Sequence, residues 1–175
     1  MIIFGIDPGT ATTGFGVIEA CNNGVSRVDW GVITTKAEAP LSERLLAIYD
    51  GIEGYLARYR PQRVAIEQAF YAKNVHTTLL LGHARGVLML AAARAGAAIA
   101  EYSPRTIKKA ITGNGGAEKS QVEYMIRMIL SLGAAAKPSD AFDALGVAVC
   151  DFYHSGSRSI AREARGGRAQ PQAGP

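Results

Sequence analysis

Over the first 35 positions apolar residues come in short, dense runs, and further along the chain they recur at helical spacing. Ile2 to Asp7, Gly14 to Ala20 and Val25 to Thr35 are rich in Ile, Val and Phe, as strands are. Pro8-Gly9-Thr10 and Asn22-Asn23-Gly24 separate them, so the pattern predicts an antiparallel meander. From Leu41 to Arg60, Leu45, Leu46, Ile48, Ile52 and Leu56 share a broad helical face that Pro61 terminates. A short strand, Arg63 to Glu67, follows. Then come a helix from about Val75 to Ala95, a strand from Ala97 to Tyr102, and helices near Pro104 to Ile111, Glu118 to Leu132 and Ser139 to Tyr153.

A meander followed by alternating helices and strands predicts an α/β fold. Its sheet is mixed and five-stranded, with the first three strands antiparallel and helices on both faces. The apolar period fades after about residue 155, and residues 156–175 hold four arginines among Gly, Pro, Ala, Ser and Gln. The expectation is one domain over 1–155 and a flexible, Arg-rich C-terminal tail over 156–175.

Composition narrows the class. The chain has 175 residues, 48% of them hydrophobic, which suits one packed domain and excludes both general disorder and a two-lobed enzyme. Cys21 and Cys150 form no C-x-x-C pair, so neither a disulfide framework nor a zinc ribbon is expected, and a reducing compartment suits them. The chain enters a strand without a basic leader, and Arg94 interrupts its longest apolar stretch, Gly86 to Ala100. Neither secretion nor membrane insertion is expected.

The net charge of +4 conceals a strong segregation. Residues 1–57 carry 3 basic and 7 acidic side chains, 58–137 carry 12 and 4, and 138–155 carry only 3 acids. A basic band beside a carboxylate cluster suits a protein that attracts a polyanion and holds a divalent cation against it.

Four acids carry the candidate chemistry. Asp7 ends the first strand on the side of Ile3 and Gly5, and Glu67 ends the fourth on the side of Ala65. Asp140 and Asp143 are three apart at the start of the last helix, on one face and near the positive end of its dipole. Taken singly, Asp140 serves a helix N-terminus and Asp7 shapes a turn. If the strand ends are neighbours and the last helix lies across them, the four converge into a cluster that needs a cation. Oxygen donors without Cys or paired His favour Mg²⁺, with Mn²⁺ as a substitute. The chemistry implied is hydrolysis of a phosphodiester with two ions per site, one generating the nucleophile and one stabilising the leaving 3′ oxygen.

Other motifs point to nucleic acid. Phe70-Tyr71-Ala72-Lys73-Asn74 puts two aromatics and a cation beside Glu67, where an unpaired base could stack on one ring. Arg105, Lys108 and Lys109 form a basic cluster on a helix that suits phosphate contacts or solvent. Gly113 to Ser120 superficially resembles a nucleotide-binding loop, but Glu118 replaces its last glycine; Lys119 in a helix's first turn still suits one backbone phosphate. His76, His83 and His154 lack metal spacing. The helix from Val75, apolar nearly all round and carrying Gly82, Ala84 and Gly86, reads as core or subunit interface.

Gly5-Ile6-Asp7-Pro8-Gly9-Thr10 with Thr13-Gly14-Phe15-Gly16-Val17, and Ala65 through Asn74, resemble the RuvC family of Holliday-junction resolvases. So do Leu81 to Gly86, Gly116 to Val122 and Asp140 to Leu145, in the same order and spacing from Met1 to about His154. The resemblance implies a ribonuclease H-like fold, a homodimer, and Mg²⁺-dependent paired, symmetric nicking of four-way DNA junctions in bacterial recombination and repair, leaving 5′-phosphate and 3′-hydroxyl ends. It places Asp7, Glu67, Asp140 and Asp143 on the family's metal-binding acids, Phe70 on its base-stacking aromatic, and Lys108 and Lys119 on its DNA-contacting lysines. It also implies a bacterial cytoplasmic setting and RuvA and RuvB as branch-migration partners. Ala11 departs from the larger or basic residue that members often carry in the first turn, and the Arg-rich tail lies outside the pattern.

Two other readings compete. Gly5 to Thr10 also resembles the first phosphate loop of actin-like and sugar-kinase ATP-binding proteins, whose two-lobed cleft needs about twice this chain. A non-cutting junction-binding protein of the same fold would not need four acids at those ends.

Overall fold

A computed structural model describes residues 1–21, 24–68, 74–133 and 138–166, the last ten of them as backbone. Along the chain run β1 (Ile2–Asp7), β2 (Thr12–Cys21), β3 (Gly24–Thr34), α1 (Leu41–Tyr59), β4 (Arg63–Glu67), α2 (Val75–Arg94), β5 (Ala98–Tyr102), α3 (Pro104–Thr112), α4 (Lys119–Ile129) and α5 (Ser139–Gly166). The strands form one sheet in the order β3-β2-β1-β4-β5. β1 pairs antiparallel with β2, and β2 with β3, while β4 joins β1 and β5 in parallel. This is the mixed sheet that the meander and the later α-β alternation predicted.

Strand alternation in β1 sorts the two cores. Phe4 and Ile6 face α1 and α2, packing in one cluster with Val17, Ile48, Ile52, Leu56 and Leu88. Ile3 and Ala65 face the other way, into a cluster with Ile107, Ile126, Phe142 and Leu145 of α3, α4 and α5. Asp7 and Glu67 continue this second face at the ends of their strands, so they emerge beneath the start of α5.

Glycine brings α5 close to the sheet. A β-carbon at Gly5 would lie 2.1 Å from the Ala144 carbonyl oxygen, and one at Gly14 would lie 2.1 Å from that of Asp140. No other residue type permits this approach, and a glycine in a strand interior is often a mark of such contact.

α5 runs beyond the helix end that the apolar period marks. The fading apolar period assigned residues from 156 onward to a solvated tail, whereas α5 continues to Gly166. Ala161, Arg162, Glu163, Ala164 and Arg165 are strong helix formers, and a helix needs no apolar stripe once its first turns are anchored.

α2 divides its apolar surface. Ala84, Leu88, Ala91 and Ala92 are buried against the sheet layer, while Leu79 and Leu90 remain 58% and 56% exposed. By length and composition α2 could span a membrane, but its buried stripe makes it a covering helix of this sheet. Its outer stripe, with Leu45, Gly82, His83, Gly86 and Val87, lines a shallow apolar groove.

Candidate metal centre

Asp7 and Glu67 reach one cleft because β1 and β4 are parallel neighbours, with Ile6 opposite Ile66 in register. Asp140 and Asp143 enter from above, set by the contact of Gly14 with the first turn of α5. One carboxylate oxygen from each of Asp7, Asp140 and Asp143 lies within 4.8 Å of the others. Glu67 lines the same cleft beside that trio without belonging to it. Lys108, Lys119, Pro104, Ile107 and Val122 complete a cavity of about 370 Å³.

The turn after Asp7 is held rigid. The buried Thr13 hydroxyl donates to the Gly9 carbonyl at 2.6 Å, and Thr35 donates to that of Thr10 at 2.6 Å. Arg44 donates through Nε to the same Thr10 oxygen at 3.2 Å. The roles of Thr13, Thr35 and Arg44 are not legible in the sequence, since their partners on the turn come within reach only once β2, β3 and α1 surround it.

Electrostatics favours a cation. Burial first, then the charges of Glu67, Asp143 and Asp140, push Asp7 from an ordinary 3.8 up to about 8, against the opposing charge of Lys119. Burial and Asp143 raise Glu67 from 4.5 to about 7, against Lys119 and Lys108. Lys119 Nζ donates to Asp143 Oδ2 at 2.5 Å. Desolvation lowers the Lys119 pKa, but the bond and charge of Asp143 outweigh it and the net direction is up. Two ammonium groups cannot neutralise four carboxylates, and the metal-ligating groups lining the cleft are all hard carboxylate oxygens, so the residues present fit Mg²⁺ or Mn²⁺.

The expected nucleic-acid residues divide. Lys108 and Lys119 line the cleft. Arg105 packs beside Gly115 and is not part of that lining. Asn74 is exposed and caps α2, its side chain accepting from the His76 amide at 2.8 Å. Phe70, Tyr71 and Lys73 lie outside the described residues.

A family described as crossover junction endodeoxyribonuclease RuvC matches residues 3–151. Proteins of that name from Chloroflexus aurantiacus and Heliobacterium modesticaldum are 46% identical over 153 residues and 47% identical over 150. These alignments cover 87% and 86% of this chain, and 93% of each relative. The structure of Thermus thermophilus RuvC in complex with a Holliday junction substrate superposes with a TM-score of 0.84 at 33% identity, covering 89% of this chain and 94% of that one. The yeast mitochondrial resolvase Ydc2 shares the fold, with a TM-score of 0.62 at 14% identity, 90% of this chain and 83% of that one being covered.

Proposed function

The chain belongs to the RuvC family of crossover junction endodeoxyribonucleases, and from that premise we propose that it resolves four-way DNA junctions by paired, symmetric, metal-assisted nicks that leave 5′-phosphate and 3′-hydroxyl ends. The observation that carries this reading is the meeting of Asp7, Asp140 and Asp143 within 4.8 Å, with Glu67 in the same cleft.

In this reading Asp7, Glu67, Asp140 and Asp143 hold Mg²⁺, or Mn²⁺ in its place, with two ions per site. Divalent ions bound there supply water activation at neutral pH and charge stabilisation of the leaving 3′ oxygen. The carboxylates place that chemistry at the ends of two interior strands of the sheet, and the clamped turn after Asp7 keeps its carboxylate from swinging out. Lys119 pairs with Asp143 in the cleft and would present a positive charge to a phosphate bound there. Lys108 adds a second positive charge at the rim. Arg105 and Asn74 touch the DNA outside the cleft, and Tyr71 and Lys73 also contact it. Phe70 stacks on an unpaired base, selecting distorted over plain duplex DNA; such stacking is worth about 1–3 kcal/mol per base.

Two cuts related by symmetry require two sites. The outer stripe of α2 around Leu79, Gly86 and Leu90 suits a homodimer interface, because it is apolar and left exposed by the described residues. The unit acting is the domain over 1–155, in the bacterial cytoplasm, in recombination and repair, with RuvA and RuvB as partners. The test is nicking of a four-way junction beside a linear duplex of the same arms, with Mg²⁺ or with EDTA. Junction-selective nicks that need Mg²⁺ are expected; equal nicking of both substrates, or none under any metal, would refute the reading.

A further inference from the structure

We propose that Asp151 is a positioning residue for the metal centre, its carboxylate locking α5 against β4 and β5 and so fixing where Asp140 and Asp143 stand relative to Asp7 and Glu67. The inference rests on the metal-centre reading above. Asp151 is fully buried, the only such carboxylate among the described residues, and a buried carboxylate persists only when its oxygens are bonded. Arg63 Nε donates to its Oδ2 at 2.6 Å and Arg63 Nη2 to its Oδ1 at 2.8 Å, a two-pronged pairing. The Tyr102 hydroxyl donates to Oδ1 at 2.8 Å, and the His154 ring lies over Tyr102 with centroids 5.1 Å apart.

The partners are placed to index the helix. Arg63 opens β4, the strand that Glu67 closes, and Tyr102 is the register partner of Glu67 on β5. α5 runs antiparallel to β1, since Asp140 lies over Gly14 and Ala148 over Gly5. Asp151 therefore sits eleven residues, about 16 Å of helix, from Asp140. Gly5, Gly14 and Gly16 let the helix approach closely but offer no side chain to set its rotation or its position along the strands. Apolar packing of Phe142 and Leu145 holds the helix on the sheet, the directional bonds of Asp151 fix its position along the strands, and a rigid helix carries that setting to the acids at the other end.

The experiment is a calorimetric titration of Mn²⁺ into the full-length protein without DNA, for wild type, Asp151→Ala, Tyr102→Phe and the control Ile52→Ala. Ile52 is buried on the opposite face of the sheet, so its truncation destabilises without touching the lock. Asp151→Ala is expected to weaken Mn²⁺ binding about tenfold and Tyr102→Phe about threefold, as for residues coupled to a site through packed elements. Ile52→Ala is expected to bind as wild type despite a lowered melting temperature. If Asp151→Ala does not fold, Tyr102→Phe decides alone. Unchanged affinity in the lock variants would overturn the inference, as would an equal loss in the control. Wild type that binds no Mn²⁺ would take down the metal-centre reading with it.

Discussion

Asp7 concentrates the tension of the site in one side chain. Its folded-state pKa of about 8 stands above the ordinary 3.8, so between those values the folded chain keeps a proton that the unfolded chain has released. Metal-free protein therefore loses stability as pH rises through that window, and Glu67, raised from 4.5 to about 7, adds to the loss. Thermal denaturation in EDTA should give a melting temperature lower at pH 8.5 than at pH 5.5 by about 5 °C or more. Mg²⁺ should remove most of that difference, and Asp7→Asn should raise the pH 8.5 value without metal, as expected where function is held at a cost in stability. A flat pH profile would mean that neither burial nor mutual repulsion raises these acids. Asp7 and Glu67 were legible in sequence because strands have a period of two and both acids break an apolar run at its end. Asp151 was not legible: on an amphipathic helix it reads as a solvated acid, and its partner Arg63 is 88 residues away.

At the scale of elements, the site depends on how closely α5 meets the sheet. The strand runs and the apolar faces of the helices were readable because β1 to β3 and α1 each carry their own period. The glycines of β1 and β2 could be quoted as a motif, but their purpose appeared only with α5 in place. Gly14→Ala should drive a methyl group towards the Asp140 carbonyl, lower stability by about 1–3 kcal/mol and weaken junction cleavage at limiting Mg²⁺. Denaturant unfolding and a Mg²⁺ titration of the cleavage rate check this; wild-type behaviour in both would show that α5 has slack at its first turn. The far end of α5 was misjudged for the opposite reason. Past Tyr153 the helix no longer needs an apolar stripe, so periodicity could not find the stretch that reaches Gly166.

For the molecule as a whole, the proposed paired nicks need two acid clefts, and the described residues of one chain form one. Leu90→Glu places a charge in the outer stripe of α2 and should shift sedimentation from dimer to monomer while leaving Mn²⁺ binding unchanged. An unchanged dimer would move the interface elsewhere. The basic middle of the chain and its acidic flanks were visible in sequence as a charge pattern, but which lysines face the cleft was not, since Lys108 and Lys119 converge only through the packing of α3 and α4. The most direct test of the carboxylate centre is cleavage of a mobile four-way junction in Mg²⁺ by wild type and Asp7→Asn, with binding measured in parallel. Paired symmetric nicks by wild type, and a variant that binds the junction but cuts it at least about a thousandfold more slowly, are the expected result. A variant that cuts like wild type, or loses binding and cutting together, would contradict it.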